Sequence, residues 1–214
     1  MIPVAPAPEP ATFDDRVRQR GLAAIDELIG RKPRRPRPGP RRKPVAKRAE
    51  DVPARCFPDF WRLALDELLV AYQRRCAYLA LYLEPATGSP SVDHMLPKSK
   101  AWDQVYEWLN YRLCASLVNA TKGDRSDMLD PFEIGERWFG LELVGFQVVV
   151  GPDAPARQRA AIEQTIVGVG LNQPECCRAR EEYVVRYQGG DISLAYLRQR
   201  APFVAAELSR QGRL

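Results

Sequence analysis

Between Arg31 and Arg55 the chain carries Pro33, Pro36, Pro38, Pro40 and Pro44. Each proline fixes its own φ and removes a backbone donor, so neither a helix nor a sheet ladder can run through the stretch. Regular structure is therefore confined to its two sides, a short piece over residues 1–30 and a long one over 56–214. The same stretch is the most basic in the sequence: from Arg31 to Arg48 there are ten Lys or Arg and no Asp or Glu. The whole chain has 32 basic and 27 acidic residues, and without those ten the remainder holds 22 against 27, a net of −5. Positive charge thus belongs to one segment, and the rest is mildly acidic. Such a segment is either a solvated spacer or an arm that neutralises phosphates, binding nucleic acid without sequence preference and with steep salt dependence. The density of arginine favours the arm, with Arg34, Arg35, Arg37, Arg41, Arg42 and Lys43 as its contact residues.

On the short side, residues 1–11 are rich in proline and alanine and are expected to be disordered. Thr12 to Ile29 reads as a short amphipathic helix, with Phe13, Val17, Ala24, Ile25 and Leu28 at helical intervals and Gly30 as its stop. It is too small to form a core alone, so it packs back on the body or docks on a partner. The domain reading is a tail and helix over 1–30, a disordered Pro/Arg-rich basic linker over 31–55, and one folded domain over 56–214.

On the long side, Phe57, Phe60, Trp61, Ala64, Leu65, Leu68 and Tyr72 mark a core-facing helical stripe. Cys76 to Leu83 is apolar and aromatic and suits a buried strand. Glu84 to Pro90 is dense in turn formers and should reverse the chain into a second strand, Ser91 to Met95, making a hairpin. An aromatic-anchored loop follows, and then a short helix over Tyr111 to Thr121, closed by Lys122 and Gly123. Trp138 to Val150 reads as two short strands. Helices are expected over Asp153 to Val169, Glu175 to Tyr187, and Ile192 to Leu208 with an interruption near Pro202. The fold class is α+β, with a ββα unit over about 76–124 embedded in helices.

No run of about 18 apolar residues is present, so no membrane span is expected. The N-terminus lacks a basic region followed by an apolar one, so no secretory signal is expected. Five cysteines do not make a disulfide scaffold and fit a reducing, cytoplasmic setting.

His94, the only histidine, lies in Ser91-Val92-Asp93-His94-Met95-Leu96-Pro97-Lys98-Ser99. A lone histidine is usually a satisfied structural residue, but Asn110, Asn119 and Lys122 follow at spacings that suit one site. Phosphodiester hydrolysis needs a base for water, and imidazole has the right intrinsic pKa. It also gains from a hard cation, for which the Asp93 carboxylate and the Asn119 amide oxygen are suitable ligands for Mg²⁺ or Mn²⁺. Asn110 can hold the loop or orient the imidazole, and Lys122 or Lys98 can pair with phosphate.

This series resembles the HNH (ββα-metal) nuclease family over roughly Cys76 to Asp124. Val92-Asp93-His94-Met95-Leu96-Pro97 is similar to the family's first element, Asn110 to its middle asparagine, and Asn119 to its third position. The resemblance implies His94 as general base, Asp93 and Asn119 as ligands of Mg²⁺ or Mn²⁺, and a metal-dependent endonuclease, with DNA favoured as substrate. An RNase or tRNA-cleaving toxin and a catalytically inactive nucleic-acid-binding module are the alternatives. Many members carry a structural zinc on two Cys-x-x-Cys knuckles. Here Cys76 is followed by Leu79 and Cys114 by Leu117, so no structural zinc is expected. Thr165 to Asn172 is similar to a segment of the Septu- and retron-associated nuclease subunits of bacterial antiphage systems, which implies an ATPase subunit as partner.

Overall fold

The computed structural model describes residues 1–36 and 38–214, and over these the chain forms an α+β fold. A π-helical turn at Asp14–Arg18 leads into α1 (Gln19–Leu28), which buries Phe13, Val17, Ala24, Ile25 and Leu28 as the helical spacing predicts. A 3₁₀ turn at Phe60–Ala64 leads into α2 (Leu65–Ala71). The candidate site is built next, from β1 (Pro90–His94), β2 (Tyr111–Ala115) and α3 (Ser116–Lys122). A second antiparallel pair, β3 (Phe139–Leu141) and β4 (Val148–Val150), is followed by α4 (Arg159–Gly168), α5 (Pro174–Gln188), α6 (Leu194–Arg200) and α7 (Pro202–Arg210). The break between α6 and α7 falls at Pro202, where a missing N–H is harmless in a helix's first turn. No helix among the described residues is long and apolar enough to cross a membrane.

The strand pairing differs from expectation. β1 pairs antiparallel with β2, not with Cys76–Leu83, in the register Val92↔Leu113, Asp93↔Arg112 and His94↔Tyr111. Cys76–Leu83 is a tight buried turn instead, in which Ala80 N donates to Cys76 O (2.8 Å) and Cys76 N to Leu81 O (2.9 Å). Its only ladder contact among the described residues is a single bridge from Arg75 to Tyr82. The reason is burial on all sides: Cys76 to Leu81 are all buried, so the segment has no alternation to tell a strand from a folded-over turn. Tyr111–Ala115, expected to begin a helix, is a strand. It too is buried on both faces, and Arg112 is tolerated there because it pairs with Asp130 and donates to Leu109 O (2.7 Å).

The N-terminal tail does not stand free. Val4 N donates to Pro131 O (2.9 Å), Ala7 N to Tyr72 Oη (3.1 Å), and Trp108 Nε1 to Ala7 O (2.8 Å). The tail's prolines suit this extended course because they lose little conformational freedom on docking. α1 then packs on the body so closely that a Cβ at Gly21 would fall 2.1 Å from the Tyr106 ring. In the basic segment, residues 31–36 and 38–48 carry no helix or strand. They are nonetheless tied back to α1, with Val45 N donating to Leu28 O (2.8 Å) and Arg42 Nη1 to Glu27 (2.9 Å). Thr165 and Asn172 have structural partners: Thr165 Oγ1 accepts from Leu129 N (2.9 Å), and the Asn172 amide bridges both backbone groups of Val148 (2.7 and 2.9 Å).

Candidate active site at the end of β1

Asp93 and His94 are the last two residues of β1, so their side chains leave opposite faces of the strand. His94 turns toward a cavity of about 560 Å³, which Ser91, Asn119, Asp59, Arg62, Lys98 and Asp124 also line. His94 is only 7% exposed. Its Nε2 lies 2.9 Å from Val105 O, and a carbonyl can only accept, so Nε2 carries the proton and Nδ1 the lone pair. Nδ1 has no hydrogen-bond partner among the described residues. Burial pushes the imidazole pKa down to about 3; the bond to Val105 opposes this, and the charges of Lys98 and Lys122 add to it. His94 is therefore neutral, with Nδ1 as its basic nitrogen.

Asn110 stands just before β2 and closes the loop that carries these groups. Its Oδ1 accepts from Leu96 N (2.7 Å), and its Nδ2 donates to Leu96 O (3.1 Å) and Gln104 O (2.9 Å). Of the two roles the sequence allows it, the observed one is holding the loop. The loop brings Lys98 over the Trp61 ring, with Nζ 4.0 Å from its centroid, on the cavity that Asp59 and Asp124 also line.

Asp93 also borders the cavity but is only 2% exposed, and its carboxylate is engaged by core side chains. Its Oδ2 accepts from the Tyr78 hydroxyl (2.6 Å) and its Oδ1 from Lys122 Nζ (3.0 Å). Lys122, at the end of α3 and 1% exposed, also donates to His94 O (2.8 Å) and reaches Met95 O (3.4 Å). Gly123 then ends the helix at φ +53°, a value that favours glycine. Lys122 is thus placed on backbone carbonyls rather than at the cavity. Asn119, one turn earlier on the same face of α3, anchors to β1 through Nδ2 to Ser91 Oγ (2.7 Å) and Val92 O (3.3 Å). Its Oδ1 has no partner among the described residues.

This arrangement does not fit a divalent cation held by Asp93. Both of its oxygens are engaged inside the core, and a cation there would have to displace Lys122. Leaving one member of a buried ion pair alone costs about 3–5 kcal/mol. A cation of millimolar affinity contributes only about 4 kcal/mol, and the displaced ammonium would remain beside it. Among the described residues no three His, Cys, Asp or Glu side chains are grouped to hold a metal. Other oxygen-bearing side chains that line the cavity are those of Asp59, Ser91, Ser116, Asn119 and Asp124. Cys76 and Cys114 are buried free thiols whose pKa values burial raises, and they pack as core residues.

Of the expected phosphate-binding residues, Lys98 lines the cavity. Arg34, Arg41 and Lys43 are exposed, Arg35 pairs with Asp15, and Arg37 lies outside the described residues. Arg42 sits 5.9 Å from the centroid of the Phe60 ring. Phe60 borders a second cavity of about 550 Å³ between α1 and the basic segment, while Asp59, Trp61 and Arg62 border the first. One short turn therefore separates the basic segment from His94's cavity.

Sequence reasoning missed Tyr78 and the Val105 carbonyl. A hydroxyl inside an apolar stretch was the available signal for Tyr78, since a buried tyrosine needs a partner. Nothing in the sequence marks a backbone carbonyl. Comparison of the chain with models of known protein families, with curated proteins and with solved structures finds no match.

Proposed function

We propose that the protein is an endonuclease of HNH type that hydrolyses phosphodiester bonds in DNA, with His94 as general base. The observation that carries this reading is the state of the imidazole: Nε2 is held by Val105 O, Nδ1 has no hydrogen-bond partner among the described residues, and His94 lines a cavity wide enough for a phosphate. In the reaction Nδ1 takes a proton from a water molecule, whose oxygen attacks phosphorus. One P–O ester bond breaks, and the leaving oxygen is protonated from solvent. Lys98 and Arg62, which line the cavity, meet the phosphate charge. An imidazole with so low a pKa is a weak base in the free protein, but an arriving phosphate anion favours its protonated form and raises its basicity. The basic segment beside the cavity supplies affinity for the backbone of the strand. A cytoplasmic antiphage role beside an ATPase subunit rests on the sequence resemblance alone, and so does a requirement for Mg²⁺ or Mn²⁺.

The test is incubation of the purified protein with plasmid DNA and with tRNA, in Mn²⁺, Mg²⁺ or chelator, alongside His94→Ala. DNA cleavage that disappears in the variant is the expected result. Equal cleavage by His94→Ala would sink the reading, and cleavage of tRNA alone would move the substrate to RNA. Cleavage that survives the chelator would remove the cation requirement.

A further inference from the structure

We propose that Tyr78, Asp93 and Lys122 form a clamp that positions His94, so that Asp93 and Lys122 act through the histidine's backbone rather than on metal or phosphate. This assignment rests on the reading of His94 as the base. The three side chains come from three separate places, the Cys76–Ala80 turn, the end of β1 and the end of α3, and meet in the core beneath the histidine. Tyr78 and Lys122 grip opposite oxygens of Asp93, at 2.6 and 3.0 Å, which fixes the plane of the carboxylate. Held in this way, Asp93 keeps the ammonium on His94 O (2.8 Å) and Met95 O (3.4 Å). The backbone is thus gripped at the base and at the residue after it, while Val105 O holds the far side of the ring. Lys122 does not line the cavity, and Asp93, which borders it, has both oxygens engaged, with the ammonium on Oδ1 and the Tyr78 hydroxyl on Oδ2.

His94 is the chain's only histidine, so its ring gives a single set of signals in a long-range ¹H–¹⁵N spectrum, with no substrate needed. Wild-type protein should show the Nε2-protonated tautomer. In Lys122→Met the clamp is lost, and the His94 signals should shift or mix tautomers. kcat should fall on the order of tenfold or more while KM stays within about twofold. The affinity for Mn²⁺, read by its electron paramagnetic resonance, should not change. Because Lys122→Met leaves the Asp93 charge buried and unpaired, Asp93→Asn/Lys122→Met, which removes both charges at similar volume, is measured beside it and should displace the same signals. Unmoved His94 signals in a folded variant would overturn the clamp. So would a Mn²⁺ affinity that rises about tenfold in Lys122→Met, which would make the lysine a plug over a metal ligand. Displaced signals in a protein that cuts no nucleic acid would leave the clamp standing and reject the nuclease reading.

Discussion

Trp61 meets His94 edge-on, their ring centroids 4.9 Å apart and their planes at 85°. Tyr111 approaches the imidazole from another side, at 5.2 Å and 77°. Two aromatic walls help bury the ring, and burial drives its pKa from the ordinary 6.5 to about 3 against the opposing bond to Val105 O. Between those values the unfolded chain binds a proton that the folded chain does not. The stabilising contribution is therefore complete above about pH 6.5 and is lost as pH falls toward 3, at about 1.4 kcal/mol per unit. Urea unfolding from pH 7 to pH 4 should show a flatter dependence in His94→Gln than in wild type. Parallel curves would mean that the histidine is not buried neutral.

Tyr78→Phe removes one hydroxyl and leaves the ring in the core. The Asp93 oxygen it served stays buried without that donor, so the change should destabilise the fold by about 1–3 kcal/mol. For a chain of this length each kcal/mol lowers Tm by about 2–4 °C. Burial and the Asp93 charge push the Tyr78 pKa well above its ordinary value, so the loss should be the same from neutral to mildly alkaline pH. An unchanged melting curve would count against a carboxylate that depends on this bond.

Asn110→Ala deletes the amide that makes three hydrogen bonds across the loop after β1. Hydrogen exchange at the Leu96 amide should accelerate, a factor of about ten for each 1.4 kcal/mol of local stability lost. Cleavage should weaken with it, because the same loop carries Lys98 and Val105. Equal protection at Leu96 in variant and wild type would show that something else holds the loop.

Replacing Arg34, Arg41 and Lys43 by Gln tests the basic segment without disturbing Arg42, which is tied to Glu27. If each contacts a phosphate, the slope of log affinity against log salt should drop by roughly 0.7–0.9 per residue. Fluorescence anisotropy with a labelled duplex measures it. An unaltered slope would make the segment a spacer.

The elements legible in the sequence are those with one wet face. α5 and α7 keep enough polar residues on their exposed sides for the period to show, and they lie where the pattern puts them. β2 and the Cys76–Leu83 turn do not, because burial from every direction erases the contrast that periodicity relies on. In the site, Asn110 binds the loop after β1, while Asn119 and Lys122 bind β1 from α3. Their facing is not legible in the sequence. Strand alternation says only that Asp93 and His94 part ways, and which of them enters the core depends on Tyr78 and Lys122 waiting there.

The proline-rich tail bears on the order in which the molecule assembles. The hydrogen bonds that build the site join residues 6 to 29 apart in sequence, whereas Trp108 reaches Ala7 across 101 residues. Closing the longer loop loses more entropy, so the tail is expected to dock after the β1–β2–α3 unit has formed. Contacts made after the transition state alter the unfolding rate and leave the folding rate alone. Trp108→Phe, which removes the donor to Ala7, should therefore raise the unfolding limb of a chevron plot and leave the folding limb in place. The tail then acts as a latch on the lifetime of the folded site rather than as part of its nucleus.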